Sequence, residues 1–413
     1  MSDTEQTRLV NKDQSPAKCA DVLVVGGGIG GSTVAAVLGQ SGLQVSVIDP
    51  MQTHGTHLAA ALTPVISSDD NARSRLSRLG AELAGQWWQQ LGSEVVSTEV
   101  VSTEVVSTEV VSTEVVSPCG AIRLQRPEGA KRVTDLKAQA QAFADPEWAR
   151  WVERDEASAL AGLPLPRGGI WYRGGWLVRV PKLINAMQSL PNVTLHRFAV
   201  GQLKRVATGW LAVDASGEPI AQGRHVVLAN AFDVLGLLER SGLEDVLAGC
   251  ARLSAMHRLA GEITLLPAQA LCGGPKCIVG GDGYVLPSVD GWCVSGGTYV
   301  RDADQAVCSD AGRMANWARA QQLLDINVDQ SKGVESLPGW AGWRAVLPGR
   351  LPAIGALPGA TGLWTTTAGA SRGLTWSVLG ANLIRDQILG RENGLESEQG
   401  LGLDQAMRHA IRP

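Results

Sequence analysis

Gly26, Gly28 and Gly31 stand in a Gly-x-Gly-x-x-Gly array completed by Gly27, Ile29 and Gly30, a spacing that can seat a diphosphate. Gly26 permits a tight turn out of a strand. Gly28 lets the backbone approach a pyrophosphate with no Cβ in the way, and Gly31 lets the following helix pack close to the strand. The free N–H groups and partial positive charge at the start of that helix would face the phosphates. Asp49, after the next apolar run, places a carboxylate where ribose hydroxyls could donate to it. The array by itself does not separate NAD from FAD.

The elements that must hold these residues can be read from pattern. Asp21 to Val25 is a short apolar run, expected as a buried parallel strand. Ser32 to Gln40 is helix-like, with Val34, Val37 and Leu38 on one face, and Gly42 ends it. Gln44 to Ile48 is a second strand closing at Asp49. A second glycine-rich element near the C-terminus, around Gly369 and Gly373, favours FAD over NAD.

Further along, 71–91 reads as a helix with Leu76, Leu79, Leu83 and Trp87 on one face. Its Arg73, Arg75 and Arg78 form either a solvated face or a contact to a polyanionic substrate. Residues 168–178 read as a turn-rich strand pair, followed by a helix from Pro181 to Leu190. Strands are expected at 193–196, 201–206 and 209–213, then a buried strand from His225 to Asn230. That strand ends in the small residues Ala229 and Asn230, suited to passing under a dinucleotide. Residues 251–335 alternate strands (261–266, 277–279, 283–286, 291–296) and turns before a helix at 311–324, which suits an antiparallel sheet.

Bulk properties set the class. A chain of 413 residues is too long for one small core, so two joined domains are expected. The net charge of −4 gives no global attraction to nucleic acid. None of the seven Cys forms a C-x-x-C pair, no His/Cys/Asp cluster has metal-ligand spacing, and no serine sits in a nucleophile elbow. Residues 1–19 are a polar tail without an apolar signal core, and no long apolar run follows, so a soluble, cytoplasmic protein with no membrane span is expected. Residues 94–117 read EVVST four times and then EVVS. That period fits neither helix nor strand and reads as a tandem expansion of a surface strand or loop, which flavin binding does not require.

The run from Gly342 through Arg344, Gly349 and Arg350 to Gly355, and the run from Ala368 through Gly369, Ser371, Arg372, Gly373 and Leu374 to Trp376, resemble the C-terminal motifs of the D-amino-acid-oxidase-like flavoprotein superfamily. Four stretches narrow the resemblance to the FAD-dependent 5-carboxymethylaminomethyl-2-thiouridine oxidoreductases of bacterial tRNA wobble modification. They are His54 to Pro64, Gly169 to Trp176, Asp282 to Pro287, and Ser371 to Leu374 with the tail Leu403 to Ala406. The chain departs from that family at Gly55-Thr56-His57, where Ser-Gly-Asn is usual, and at Gly349, where an acid is usual. The family often carries this module behind a methyltransferase domain; with only a short tail before residue 20, no methyltransferase activity is expected.

The resemblance implies an α/β fold: a Rossmann-like FAD-binding domain of the glutathione-reductase type, with a discontinuous α+β substrate domain built on an antiparallel sheet. Residues 20–90, 168–250 and 336–413 would form the first, and 91–167 and 251–335 the second, with 94–117 as an insertion. It implies non-covalent FAD, held by Gly26, Gly28, Ile29, Gly30, Gly31, Asp49, Thr56, His57, Ala229, Asn230, Gly369, Ser371, Arg372, Gly373 and Leu374. The start of the helix after Ser371 would face the flavin ring, and Arg372 would contact either flavin or tRNA phosphate. The implied reaction removes a carboxymethyl group from a secondary amine on the wobble uridine of a tRNA anticodon loop, by hydride loss and imine hydrolysis, releasing glyoxylate. Arg344 would grip the substrate carboxylate with a bidentate fork, or else bridge the domains as an ion pair. Tyr284 would add a hydrogen bond to that carboxylate, or else be a core residue. Two other functions fit the same residues: a small-molecule amine oxidase or dehydrogenase for glycine, sarcosine or a D-amino acid, and a flavin-binding tRNA-interaction protein without turnover.

Overall fold

The computed structural model describes residues 19–51, 57–99, 115–127, 135–326, 333–391 and 403–413. In chain order come β1 (Ala20–Val25), α1 (Ile29–Gln40), β2 (Val45–Ile48), β3 (Ala60–Leu62) and the long α2 (Ala72–Glu99). Next are β4 (Val116–Pro118), β5 (Ala121–Leu124), β6 (Ala149–Val152), β7 (Gly169–Tyr172) and β8 (Trp176–Val178). Then α3 (Val180–Gln188) leads to β9 (Val193–His196), β10 (Gln202–Val206), β11 (Gly209–Val213) and β12 (Pro219–Leu228). Short helices between 234 and 254 precede β13 (His257–Pro267), β14 (Ile278–Gly281), β15 (Gly283–Val285), β16 (Trp292–Gly296), α4 (Asp310–Leu324) and β17 (Gly339–Val346). The chain closes with β18 (Ala353–Ala356), β19 (Leu363–Thr367), α5 (Gly373–Ile388) and α6 (Gln405–Ile411).

The first sheet has a parallel core, β19-β12-β1-β2-β9. β12 is long enough to serve two partners: its first half runs antiparallel to β11 and its second half parallel to β19. Apart from Asp21 near its start, β1 is apolar because it is buried on both faces. Val22 and Val24 pack with Val34 and Leu38 of α1 and Trp376, Leu379 and Ile384 of α5. Leu23 and Val25 face the other way, onto Leu237, Leu238 and Leu253 of the short helices. Each such fully buried aliphatic side chain contributes roughly 1.5–3 kcal/mol.

The second sheet runs β17-β13-β16-β15-β14-β5-β7-β6. It is antiparallel, as expected, except for one pair, β5 with β14, which is parallel. α4 covers one face, where Trp317, Ala320 and Leu323 meet Leu266, Val279 and Val285. The other face carries Ile170, Tyr172, Ile263, Tyr284 and Trp340 and packs against Ala59 and Ile66.

Three local expectations change. The segments expected to lie with the nucleotide-binding unit include β7 and β17, yet both strands hydrogen-bond into the second sheet. β7 and β8 do not form the expected pair with each other; β8 sits between β3 and β4 in a three-stranded sheet. Gly175 allows that parting: a Cβ there would lie 2.4 Å from the Gly120 backbone, so the chain passes tightly and changes sheets. The start of the pentad repeat is helical rather than strand or loop, because α2 runs on to Glu99; a helix already nucleated extends at little cost. The repeat's last residues, Val116 and Ser117, are in β4, and 100–114 lie outside the described residues.

Candidate active site

The glycine array sits at the carboxyl ends of the parallel strands, where open α/β sheets bind ligands. Gly26 has φ +100°, and a Cβ there would fall 2.7 Å from the Ala229 carbonyl oxygen. A Cβ on Gly31 would fall 1.8 Å from the Gly26 oxygen, so α1 meets the strand end in direct backbone contact. Gly28 caps α1 with no side-chain cap, and the first turn, which includes Ile29 and Gly30, holds no acid. The helix therefore offers uncompensated N–H groups to an anion.

Asp49 is buried at the end of β2. Its carboxylate accepts the Gly27 amide and, at 2.7 Å, the Met51 amide. It thus braces the glycine loop directly. Gln188 of α3 does the same from the other side, donating Nε2 to the Gly27 oxygen at 3.0 Å and to Ser32 Oγ at 2.9 Å. Nothing in the sequence marked Gln188, because its partners lie more than a hundred and fifty residues away. Ala229 N–H donates to the Val25 oxygen at 2.8 Å, and Asn230 carries an Oδ1 that is buried without a partner.

The C-terminal element comes to the same place. Ala368 and Ala370 have φ of +58° and +50°, bending the chain between β19 and α5. Ala370 N–H donates to the Ala345 oxygen at 3.0 Å, which ties this bend to β17 beside Arg344. Arg372 N–H donates to the Gly369 oxygen at 2.8 Å and its Nη1 to the Thr63 oxygen at 2.5 Å. Ser371 is exposed and Leu374 is buried. α5 also starts without a side-chain cap or an acid in its first turn. A Cβ on Gly373 would lie 3.4 Å from Ile29 Cγ2, so the starts of α1 and α5 are neighbours. Two uncapped helix starts, a Cβ-free loop and an orphaned Asn230 oxygen suit a long dinucleotide with a diphosphate near its middle and an electron-accepting ring at one end. Thr56 lies outside the described residues.

Arg344 stands on β17, opposite Leu259 of β13. Its guanidinium lies over Gly261, where a Cβ would be 1.6 Å from Nη1, and beside Gly297. Nη1 donates to the Thr298 oxygen at 3.0 Å, and the guanidinium stacks 4.5 Å from the Tyr299 ring centroid. Among the described residues no carboxylate comes within ion-pair distance of Arg344, so the domain-bridging ion pair is not formed there. Tyr284 and His57 belong to the same group. Burial pushes the Tyr284 phenol up to about 12, with Arg344 pulling against it. Burial lowers His57 to about 4, and the charge of Arg344 adds to the effect. The His57 ring meets Trp340 edge-on at 4.9 Å, and its Nδ1 is buried without a partner. His57 is therefore on the Arg344 side of the cleft.

Chemically, this group presents a guanidinium fork, two phenols and a neutral imidazole. With His57 near 4 and Tyr284 near 12, neither changes protonation near neutral pH, so neither is tuned as a general base. A guanidinium fork of this kind is able to hold a carboxylate. Tyr299, Thr298 and Gly261 were not legible as site residues, since only the pairing of β13 with β17 on one side and with the 298–300 segment on the other brings them to Arg344. Of the arginines on α2, Arg75 pairs with Asp404 at 2.5 Å, and Arg78 pairs with Asp70 at 2.5 Å while stacking over Phe143. Among the described residues no three His, Cys, Asp or Glu side chains gather as a metal site, and no helix is long and apolar enough to cross a membrane.

Comparison with known proteins bears on the same site. The family model described as DAO, FAD dependent oxidoreductase, matches residues 21–387. The chain is 30% identical, over 95% of its length, to the tRNA 5-methylaminomethyl-2-thiouridine biosynthesis bifunctional protein MnmC of Cupriavidus necator. It is 31% identical, over 94% of its length, to the protein of the same name from Ralstonia nicotianae. The chain spans 61% of the length of each of these relatives. Among solved structures it is similar to glycine oxidase from Geobacillus kaustophilus, with TM-score 0.70 and 19% identity, covering 90% of this chain and 95% of that one. It is also similar to iminodiacetate oxidase from Chelativorans sp. BNC1, with TM-score 0.67 and 21% identity, covering 89% and 95%.

Proposed function

From the membership of this chain in the DAO family of FAD-dependent oxidoreductases, we propose that it oxidises the C–N bond of the carboxymethylaminomethyl group on a tRNA wobble uridine. The relatives named for 5-methylaminomethyl-2-thiouridine biosynthesis support the choice of substrate. The observation that carries the reaction is Arg344: a guanidinium without a carboxylate partner among the described residues, backed by Tyr284 and Tyr299, beside a cleft shaped for a dinucleotide.

Bound FAD supplies the two-electron acceptor. The loop 26–31 and the start of α1 hold its diphosphate without a covalent bond, with Asp49 and Gln188 bracing that loop. The start of α5, from Arg372 to Leu374, would face its ring, and the partial positive charge of a helix start would favour the negative charge that reduction brings. Arg344 grips the substrate carboxylate and so fixes the adjacent methylene for hydride loss. Tyr284 keeps its proton and donates to that carboxylate. His57 stays neutral and adds no charge beside the free amine. The secondary amine becomes an imine, which water cleaves to glyoxylate and a primary aminomethyl group. Because neither His57 nor Tyr284 is a base poised near neutrality, the substrate enters as the free amine. The reaction takes place in the cytoplasm, with the anticodon loop as partner.

The test is mass spectrometry of tRNA nucleosides from cells with and without the protein. Loss of the protein should leave the carboxymethylaminomethyl nucleoside to accumulate. The reading is overturned if nucleoside levels do not change while glycine, sarcosine or iminodiacetate bleaches the flavin anaerobically; that result assigns a small-amine oxidase. No bleaching by any of these substrates assigns a binding protein without turnover.

A further inference from the structure

Beside the Arg344 group lies a second gathering of cations. Arg73 opens α2, Arg123 is on β5 and Arg372 precedes α5. Among the described residues, no Asp or Glu carboxylate lies within ion-pair distance of any of the three. Their neighbours on α2 behave differently, since Arg75 and Arg78 each have a carboxylate. The three are close enough to disfavour one another's charge. Burial lowers Arg372 to about 10, with Arg73 and Arg123 contributing, and burial lowers Arg73, with Arg350 and Arg123 contributing.

Arg73 Nε is buried with no hydrogen-bond partner, and the buried Tyr172 hydroxyl has only the Arg123 guanidinium beside it, a partner that adds no negative charge. Tyr172 is 2% exposed and lies at the end of β7, beside Arg123 on the paired strand β5. Its ring is 6.2 Å from Trp148, which Arg78 of α2 also overlies. Arg123 is exposed, so the cluster reaches from buried Tyr172 to the protein surface. Like charges gathered in a poorly hydrated site are costly unless an anion neutralises them. Unsatisfied buried donors add to that cost. The protein supplies no such anion among its described residues, and Arg344 already accounts for the substrate's carboxylate.

We propose that Arg73 and Arg123, with Tyr172 and Arg372 behind them, form a second anion subsite that takes a backbone phosphate of the RNA flanking the modified uridine. This rests on the substrate reading above. Guanidinium forks and a phenol together can serve both non-bridging oxygens of a phosphodiester. Exposed Arg123 places the cluster at the surface, where a polymer can continue past it, which a free amino acid does not require.

The experiment uses the flavin-loaded full chain, wild type and R73Q/R123Q. It measures binding of a fluorescent anticodon stem-loop across a range of KCl concentrations, and turnover of the free modified nucleoside. The double variant should bind the RNA about tenfold or more weakly, and the slope of log K against log salt should fall by about 1 for each lost phosphate contact. Flavin content and free-nucleoside turnover should not change, and R73K/R123K should recover part of the affinity. Unchanged RNA affinity and slope overturn the proposal. So does a raised KM for the free nucleoside, which would place the substrate's own carboxylate at these arginines, and so does loss of flavin in both double variants, which would make the cluster structural. Wild-type RNA binding that depends on Arg73 and Arg123, without oxidation of modified RNA, keeps the subsite and removes the substrate reading. Oxidation of modified RNA with unchanged KM in the double variant does the reverse. No wild-type RNA binding at all removes both.

Discussion

Gly261→Ala should cripple catalysis without touching any group that does chemistry. A Cβ at that position would lie 1.6 Å from Arg344 Nη1 and 2.5 Å from the Thr298 oxygen. Ordinary contact begins at 3.4 Å, so the guanidinium tip would have to retreat by roughly 1.8 Å. It cannot simply swing aside, because the Thr298 carbonyl that orients it is also pressed. Gly261 is not among the positive-φ residues, so alanine adds no backbone strain of its own. The overpacking should cost about 1–3 kcal/mol of stability. A misplacement of about 1 Å at an anchoring group can cost roughly a hundredfold in rate, so kcat/KM should fall about 10²–10³-fold, or about 3–4 kcal/mol of transition-state stabilisation. The assay is anaerobic flavin reduction by the carboxymethylaminomethyl substrate in stopped flow, with bound flavin counted by absorbance. A variant with full flavin and a wild-type rate would refute the placement of the anchor over Gly261.

Removing the anchor itself should be at least as severe. Two charge-assisted hydrogen bonds at about 1.5–3 kcal/mol each put Arg344→Ala down by roughly 10²–10⁴-fold in kcat/KM, with flavin retained, and steady-state kinetics showing full turnover would end the anchor role. Gly31→Ala should fail earlier: its Cβ would lie 1.8 Å from the Gly26 oxygen, so purified protein should be colourless or unfolded, and a yellow, well-folded variant would contradict the packing of α1 on the loop. His57 gives a pH signature. Its folded value of about 4 lies below the ordinary 6.5, so the unfolded chain takes up the proton first as pH falls. Stability should drop through the window from 6.5 to 4, and His57→Gln should flatten that part of a Tm-against-pH curve; identical curves would show that His57 is not buried as described.

What could be read from the sequence was what short-range pattern encodes. β1, α1 and β2 are contiguous, and each shows its period or its apolar run within a dozen residues. The late helix after Ser371 is just as local, whereas the strand before it, β19, was not read. The parallel join of β5 to β14 brings together residues more than a hundred and fifty positions apart, and no local pattern carries it. Asp49 was legible as a carboxylate at a strand end, but its grip on the Gly27 and Met51 amides depends on how the loop folds back. Arg73, Arg75 and Arg78 look alike in sequence. Only the fold separates them, because Asp404 approaches from the far end of the chain and Asp70 from the turn before α2, which leaves Arg73 without a carboxylate.

The geometry of α2 bears on how this chain can vary. A helix of 28 residues spans about 42 Å, with Arg73 at one end and the EVVST array beginning at the other. The array begins at residue 94, so copies added or removed at its start enter about 32 Å along the rod from Arg73. Its last residue, Ser117, stands only six positions before Arg123. The helix therefore works as a spacer for Arg73, while Arg123 must be held in place by the pairing of β5 with its neighbours.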